Sequence, residues 1–218
     1  MKVGTDGVLL GAWVDTDHCQ DILDIGTGTG LIALMMAQRT NTQIDAIDIE
    51  KSAFIQASEN VSVSAFRNQI RVYHSSLGNY AEKTDKKYDL IVSNPPYFKQ
   101  SLKGPDQQRN LARHTDTLPL EELVEESICL MKPTGRMAFI LPAQNEPELE
   151  MIRKKQGLHL TKRLEVLPAP DAEPKRILVE FSFNQDRLTE RDQLIIETGR
   201  HQYTPEYIRL TRDYYLKM

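Results

Sequence analysis

Residues 21–48 follow an order that few folds accommodate. Asp21-Ile22-Leu23 leads into Asp24-Ile25-Gly26-Thr27-Gly28-Thr29-Gly30, after which Leu31, Leu34, Met35 and Gln38 share one helical face. A second apolar run, Ile44-Asp45-Ala46-Ile47, ends on Asp48. Strand, glycine turn, helix, strand and acid in succession make a βαβ unit, which sets the turn and the acid on one edge of a parallel sheet. Glycines let backbone approach a ligand closely, and free N–H groups at a helix start favour polar or anionic groups. A carboxylate at the end of the second strand can accept both hydroxyls of a ribose. The dinucleotide fingerprint needs glycine at 26, 28 and 31; Leu31 breaks it, and what remains is the tighter Asp-x-Gly-x-Gly-x-Gly form with an acid that can accept the ribose hydroxyls of an adenosyl cofactor.

The rest of the chain repeats the alternation. Strand-like segments fall near 21–25, 43–48, 70–73, 88–93, 135–141, 158–167 and 176–184, with helical patterns at about 30–39, 51–65, 118–131 and 146–156. Leu120, Leu123, Val124, Ile128 and Met131 form one stripe, started by Pro119 and followed by Lys132-Pro133-Thr134-Gly135. Asn145 and Glu148 have the spacing of a capping box, and Gly157 is the matching stop. Strands separated by helices predict an α/β fold with a Rossmann-like, mostly parallel sheet of seven strands. At 218 residues the chain reads as one domain, 1–218. Residues 98–117, polar and without a clear period, read as a substrate loop. Residues 193–218 read as a C-terminal extension, with a short strand at Leu194-Ile195-Ile196 and a docking helix carrying Tyr207, Ile208, Leu210 and Tyr214.

After the apolar strand Tyr88–Ser93 comes Asn94-Pro95-Pro96-Tyr97. Neither proline can donate a ladder hydrogen bond, so the strand must end there in a rigid lip. The lip offers the Asn94 amide oxygen, the Pro95 carbonyl and the Tyr97 ring. Two acceptors and a stacking face suit a planar exocyclic amine. No Ser/His/Asp set and no lysine-bearing phosphate loop competes for this site.

Together the glycine loop and the lip resemble class I S-adenosylmethionine methyltransferases that act on planar nitrogens. Met1-Lys2-Val3-Gly4-Thr5-Asp6-Gly7 through Trp13, Ala112-Arg113-His114-Thr115 and Tyr203 through Met218 narrow the resemblance. They are similar to the adenine-N6 methyltransferases that modify valine tRNA beside the anticodon. The resemblance spans essentially the whole chain and implies a further segment ahead of Lys2. It also implies a cofactor set of Thr5, Asp6, Asp24, Gly26, Thr27, Gly28, Gly30, Asp48, Ile49, Leu77 and Asn94, and a catalytic set of Asn94, Pro95, Pro96 and Tyr97. Related enzymes often place an acid where Ser75-Ser76-Leu77 stands. A protein glutamine-N5 methyltransferase, whose planar amide presents the same donors, and a guanine-N2 methyltransferase are the alternatives.

Charge is unevenly placed around a net of −4. Residues 1–60 hold three basic and nine acidic groups, and residues 118–150 two basic against seven acidic. Lys99, Lys103, Arg109 and Arg113, by contrast, accompany only Asp106 directly after the lip, and are expected to meet phosphates. A second basic set comprises Arg153, Lys154, Lys155, Lys162, Arg163, Lys175 and Arg176, either an alternative RNA face or a solvated surface. Cys19 and Cys129 have no metal-type spacing to the five histidines, so no metal is expected and a reducing cytoplasm is the natural compartment. No apolar stretch approaches the length of a membrane span.

Overall fold

The structure, a computed structural model, describes residues 4–96, 118–186 and 188–216. Tyr97 of the lip and the expected substrate loop 98–117, with Lys99, Lys103, Arg109 and Arg113, lie outside these residues, as do Met1, Lys2 and Val3.

The first helix, α1 (Thr5–Trp13), precedes the unit read above: β1 (Asp21–Ile25), α2 (Leu31–Ala37) and β2 (Gln43–Asp48). Next come α3 (Lys51–Val63), β3 (Ile70–His74), α4 (Leu77–Lys83) and β4 (Tyr88–Ser93). The second half holds α5 (Leu120–Leu130), β5 (Met131–Pro142), α6 (Glu146–Lys155), β6 (His159–Leu167), β7 (Arg176–Ser182) and β8 (Glu190–Ile195). A small hairpin, β9 (Glu197–Gly199) and β10 (Gln202–Tyr203), leads into α7 (Pro205–Thr211).

The main sheet runs β3-β2-β1-β4-β5-β7-β6-β8. Only β7 is reversed, pairing antiparallel with β5 and β6; every other pair is parallel. Consecutive residues serve opposite faces. Ile22 belongs to the buried cluster that holds Leu9, Ile32, Met36 and Tyr207, while Leu23 belongs to the one that holds Leu77, Tyr88, Leu123 and Leu149. Helices α1, α2, α3 and α7 therefore cover one face, and α4, α5 and α6 the other. Burial on both sides explains why Ile22-Leu23 in β1 and Leu90-Ile91-Val92 in β4 are apolar in succession rather than alternating.

Three expectations are corrected. The sheet has eight strands, not seven: Glu190–Ile195 joins outside β6. Its first four residues are exposed, as befits a charged edge strand, so only Leu194 and Ile195 had signalled it. The strand expected from 135 already begins at Met131, so Lys132-Pro133-Thr134-Gly135 lies within β5, and the β4–β5 register shifts between Tyr88 and Leu90. Asn145 makes no side-chain cap, because it sits in a 3-10 turn with helical backbone. Gly157, at φ +68°, does close α6. Among the described residues no helix is long and apolar enough to cross a membrane.

Candidate active site

The carboxyl ends of β1, β2 and β4 meet at one edge, and each ends for a local reason. After β1 the chain turns through Gly26, Gly28 and Gly30, with φ of +68°, +61° and +80°. Side chains other than glycine are strained in that region. The turn is held across to β2, since Gly26 N–H and Thr27 N–H both donate to Ile47 O at 2.9 and 3.0 Å.

Asp48, at the end of β2, is the organising group. Its Oδ2 accepts the Gly28 N–H at 2.8 Å and its Oδ1 accepts the Glu50 N–H at 2.8 Å. A carboxylate has about four acceptor sites, so two backbone bonds leave room for two more donors. Beside it Ile49 is 59% exposed, a large apolar side chain at the mouth of the site. The Ile49 carbonyl lies 3.0 Å from His74 Nε2, and the His74 ring stacks on Phe54 with centroids 5.6 Å apart. Ser76 caps α4, its Oγ accepting the Asn79 N–H at 3.2 Å. Leu77 is buried in the core and presents little surface.

Asp24 lies under the glycine turn with no exposed surface. Thr27 Oγ1 donates to its Oδ2 at 2.6 Å, while Oδ1 has no hydrogen-bond partner among the described residues. Burial pushes this carboxyl up to about 7; the neighbouring charge of Asp48 adds to the rise, and the Thr27 hydroxyl and the Ala33 amide oppose it. A buried, half-satisfied carboxyl poised near neutrality suits a cationic ligand group.

The lip forms as the prolines require. Ser93 Oγ donates to Ile25 O at 2.9 Å, fastening the end of β4 to that of β1. Asn94 and Pro95 follow half-buried, and Pro96 is exposed. Helix α1 lies over this edge at Gly7, where an added Cβ would come within 3.2 Å of Leu31 Cδ2 and 4.0 Å of Asn94 Nδ2. Thr5 is exposed at the start of α1, whereas Asp6 is tied to β7: Arg176 Nε donates to Asp6 Oδ2 at 2.8 Å.

The second basic set largely dissolves. Arg153 pairs with Glu150, Lys155 with Glu121 at 2.6 Å, Arg163 with Glu146 at 2.6 Å and Arg176 with Asp6. Their charge is spent within the fold, so this set is mainly a solvated, paired surface. His74 and Phe54 were not anticipated as site residues, and Arg176 was read only as part of the second basic set, not as the partner of Asp6. Their roles come from contacts between distant segments, which no local motif announces.

A family model, the methyltransferase small domain, matches residues 3–153. The chain is 51% identical to the tRNA1(Val) (adenine(37)-N6)-methyltransferase of Parabacteroides distasonis, over all of this chain and 92% of that one. The protein of the same description from Flavobacterium johnsoniae is 46% identical, over all of this chain and 94% of its own. Among solved structures, a predicted O-methyltransferase from Agrobacterium tumefaciens superposes with a TM-score of 0.74 at 21% identity, covering 95% of this chain and 96% of that one. A ribosomal protein L11 methylase from Lactobacillus delbrueckii gives 0.57 at 18% identity, covering 81% and 76%. These two structures share the class I methyltransferase fold.

Proposed function

Since the chain belongs to the tRNA1(Val) (adenine(37)-N6)-methyltransferase family, we propose that it methylates the exocyclic N6 of adenosine 37 in a valine tRNA. S-adenosylmethionine is the cofactor, and its sulfonium supplies an electrophilic methyl group. The site residues fit that molecule. Asp48 retains acceptor capacity for two ribose hydroxyls, and Ile49 offers an apolar face to the adenine. The unpartnered Asp24 Oδ1 is an acceptor for an ammonium group. Gly26, Thr27, Gly28 and Gly30 bring backbone close, and Thr5 and Asp6 close the site from above.

The observation that carries the reading is the Asn94-Pro95-Pro96 lip standing beside this cradle. An adenine amine is a weak nucleophile because its lone pair is delocalised into the ring. Asn94 Oδ1 and the Pro95 carbonyl accept its two N–H groups, turn the lone pair out of the ring plane and stabilise the charge that develops. Pro96 keeps the lip rigid, and Tyr97 stacks on the extruded base. Protons leave readily once the nitrogen is alkylated, so no strong base is needed. Lys99, Lys103, Arg109 and Arg113 hold nearby phosphates. We read the chain as one catalytic domain acting in the cytoplasm, where its tRNA is found.

The test is incubation with isotopically labelled S-adenosylmethionine and an unmodified valine tRNA transcript, followed by nucleoside mass spectrometry. N6-methyladenosine at position 37 is expected. Label in N2-methylguanosine, or in a glutamine of a release factor with none in tRNA, would overturn the assignment.

A further inference from the structure

We propose that the β9–β10 hairpin, with Arg200 and His201 at its tip and Lys175 beside its root, is a second contact surface for the phosphodiester backbone of the tRNA. The inference rests on the tRNA reading above and deepens it.

Topology places the hairpin. Strands β4, β5, β6 and β8 all run in one direction, so the chain leaves β8 at the same sheet edge as the Asn94-Pro95-Pro96 lip. The hairpin follows immediately, and its root is fixed by Ile196 N–H to Leu167 O at 2.9 Å and Glu197 N–H to Pro168 O at 3.2 Å. That second bond joins it to the 168–175 turn, which also projects from this edge and ends in exposed Lys175. Strand β8 stands four positions from β4, about 19 Å at ordinary strand spacing. A contact there reaches backbone well away from the reacting base.

The chemistry suits phosphate. Arg200, His201 and Lys175 are exposed and make no ion pair among the described residues, in contrast to Arg153, Lys155, Arg163 and Arg176. His201 holds φ at +60°, a turn position that glycine or asparagine fills at less cost. Strain kept at an exposed tip calls for a use of the side chain. The platform is firm: Tyr203 packs on Tyr207 with ring centroids 5.2 Å apart, and the Tyr207 N–H is capped by Thr204 Oγ1 at 3.1 Å. Arginine and an imidazole N–H on a stiff hairpin, with lysine on the turn beside its root, can each hold a phosphate oxygen without reading sequence.

The experiment is tRNA binding and steady-state methylation by the whole protein across a salt series, for wild type and Lys175→Ala/Arg200→Ala. Cofactor affinity and kcat at saturating tRNA should stay within twofold. The KM for tRNA should rise on the order of tenfold, and the log–log salt slope should shrink by roughly 0.7–0.9 per lost contact. His201→Gly relaxes the turn, so it should hold or raise Tm while weakening tRNA binding, a combination that misfolding cannot produce. An unchanged slope and KM in both variants, with tRNA methylation by wild type intact, would overturn the hairpin surface alone. A wild type that binds cofactor but methylates no tRNA would instead overturn the function it rests on.

Discussion

Asp24 and Asp45 lie on neighbouring strands, both almost wholly buried, yet their surroundings differ in kind. Asp45 Oδ2 accepts Tyr88 Oη and Lys86 Nζ, each at 2.8 Å, and Tyr88 is in turn bonded to Tyr80 at 2.6 Å. Lys86 and Lys132 also reach Asp21, and Lys132 reaches Asp89. This part of the molecule is saturated: burial and these bonds push the Tyr88 hydroxyl well above its usual range, so it stays a neutral donor. At the opposite edge Asp24 keeps one oxygen unpartnered, three glycines hold left-handed backbone and Ile49 faces solvent. Completed polar networks rigidify a fold, whereas an incomplete one is costly and persists where a ligand completes it.

The contrast is breakable from the saturated side first. Asp45→Ala strips Tyr88 and Lys86 of their shared acceptor and should cost about 3 kcal/mol of stability. Urea unfolding measures it, and cofactor affinity in the folded fraction should be unchanged. Loss of cofactor binding with stability intact would reverse the roles assigned to the two regions.

Asp48→Ala acts on the other side. It removes charge-assisted contacts to the ribose and frees the Gly28 and Glu50 N–H groups, so cofactor binding should weaken by about 1.5–3 kcal/mol. Calorimetry reads this directly, and an unchanged affinity would discard the ribose role.

The smallest effect is also the most specific. Asp24 favours its neutral form in the ligand-free fold, with its pKa raised to about 7. Its ionisation therefore removes stability as pH rises from the ordinary carboxylate range through 7. A cationic cofactor group needs the ionised form, so affinity should rise between pH 6 and 7 by up to about 1.4 kcal/mol, with proton release on binding. Asp24→Asn should bind more weakly, lose that pH dependence and leave the ligand-free protein no less stable. A proton count of zero in wild type would remove Asp24 from the cofactor site.

Legibility in the sequence followed the range of the interactions. The unit from β1 to Asp48 was readable because glycines, apolar runs and a terminal acid are local signals, and the Asp48 carboxylate bonds back to Gly28 of the same unit. Helix α1 was readable as a motif but not as a helix: Gly7 to Gly11 are all buried, so no apolar stripe marks its period. Helix α4 buries only Leu77 and Tyr80, too few apolar positions to mark a period. The Arg176–Asp6 pair spans 170 positions, and the neutralisation of Arg163 depends on Glu146 across the α6–β6 interface. That Asp24 lacks a partner for one oxygen is a fact of three dimensions only.

The central claim is a division of labour: the turn, Asp24 and Asp48 hold the cofactor, and the lip activates the amine. It is tested most directly by Asn94→Ala, in which both prolines still fix the backbone. Single-turnover methylation of valine tRNA should fall on the order of 10²–10³-fold, while calorimetric affinity for S-adenosylmethionine stays within a few-fold of wild type. Methylation at the wild-type rate, or a loss of rate matched by an equal loss of cofactor affinity, would contradict it.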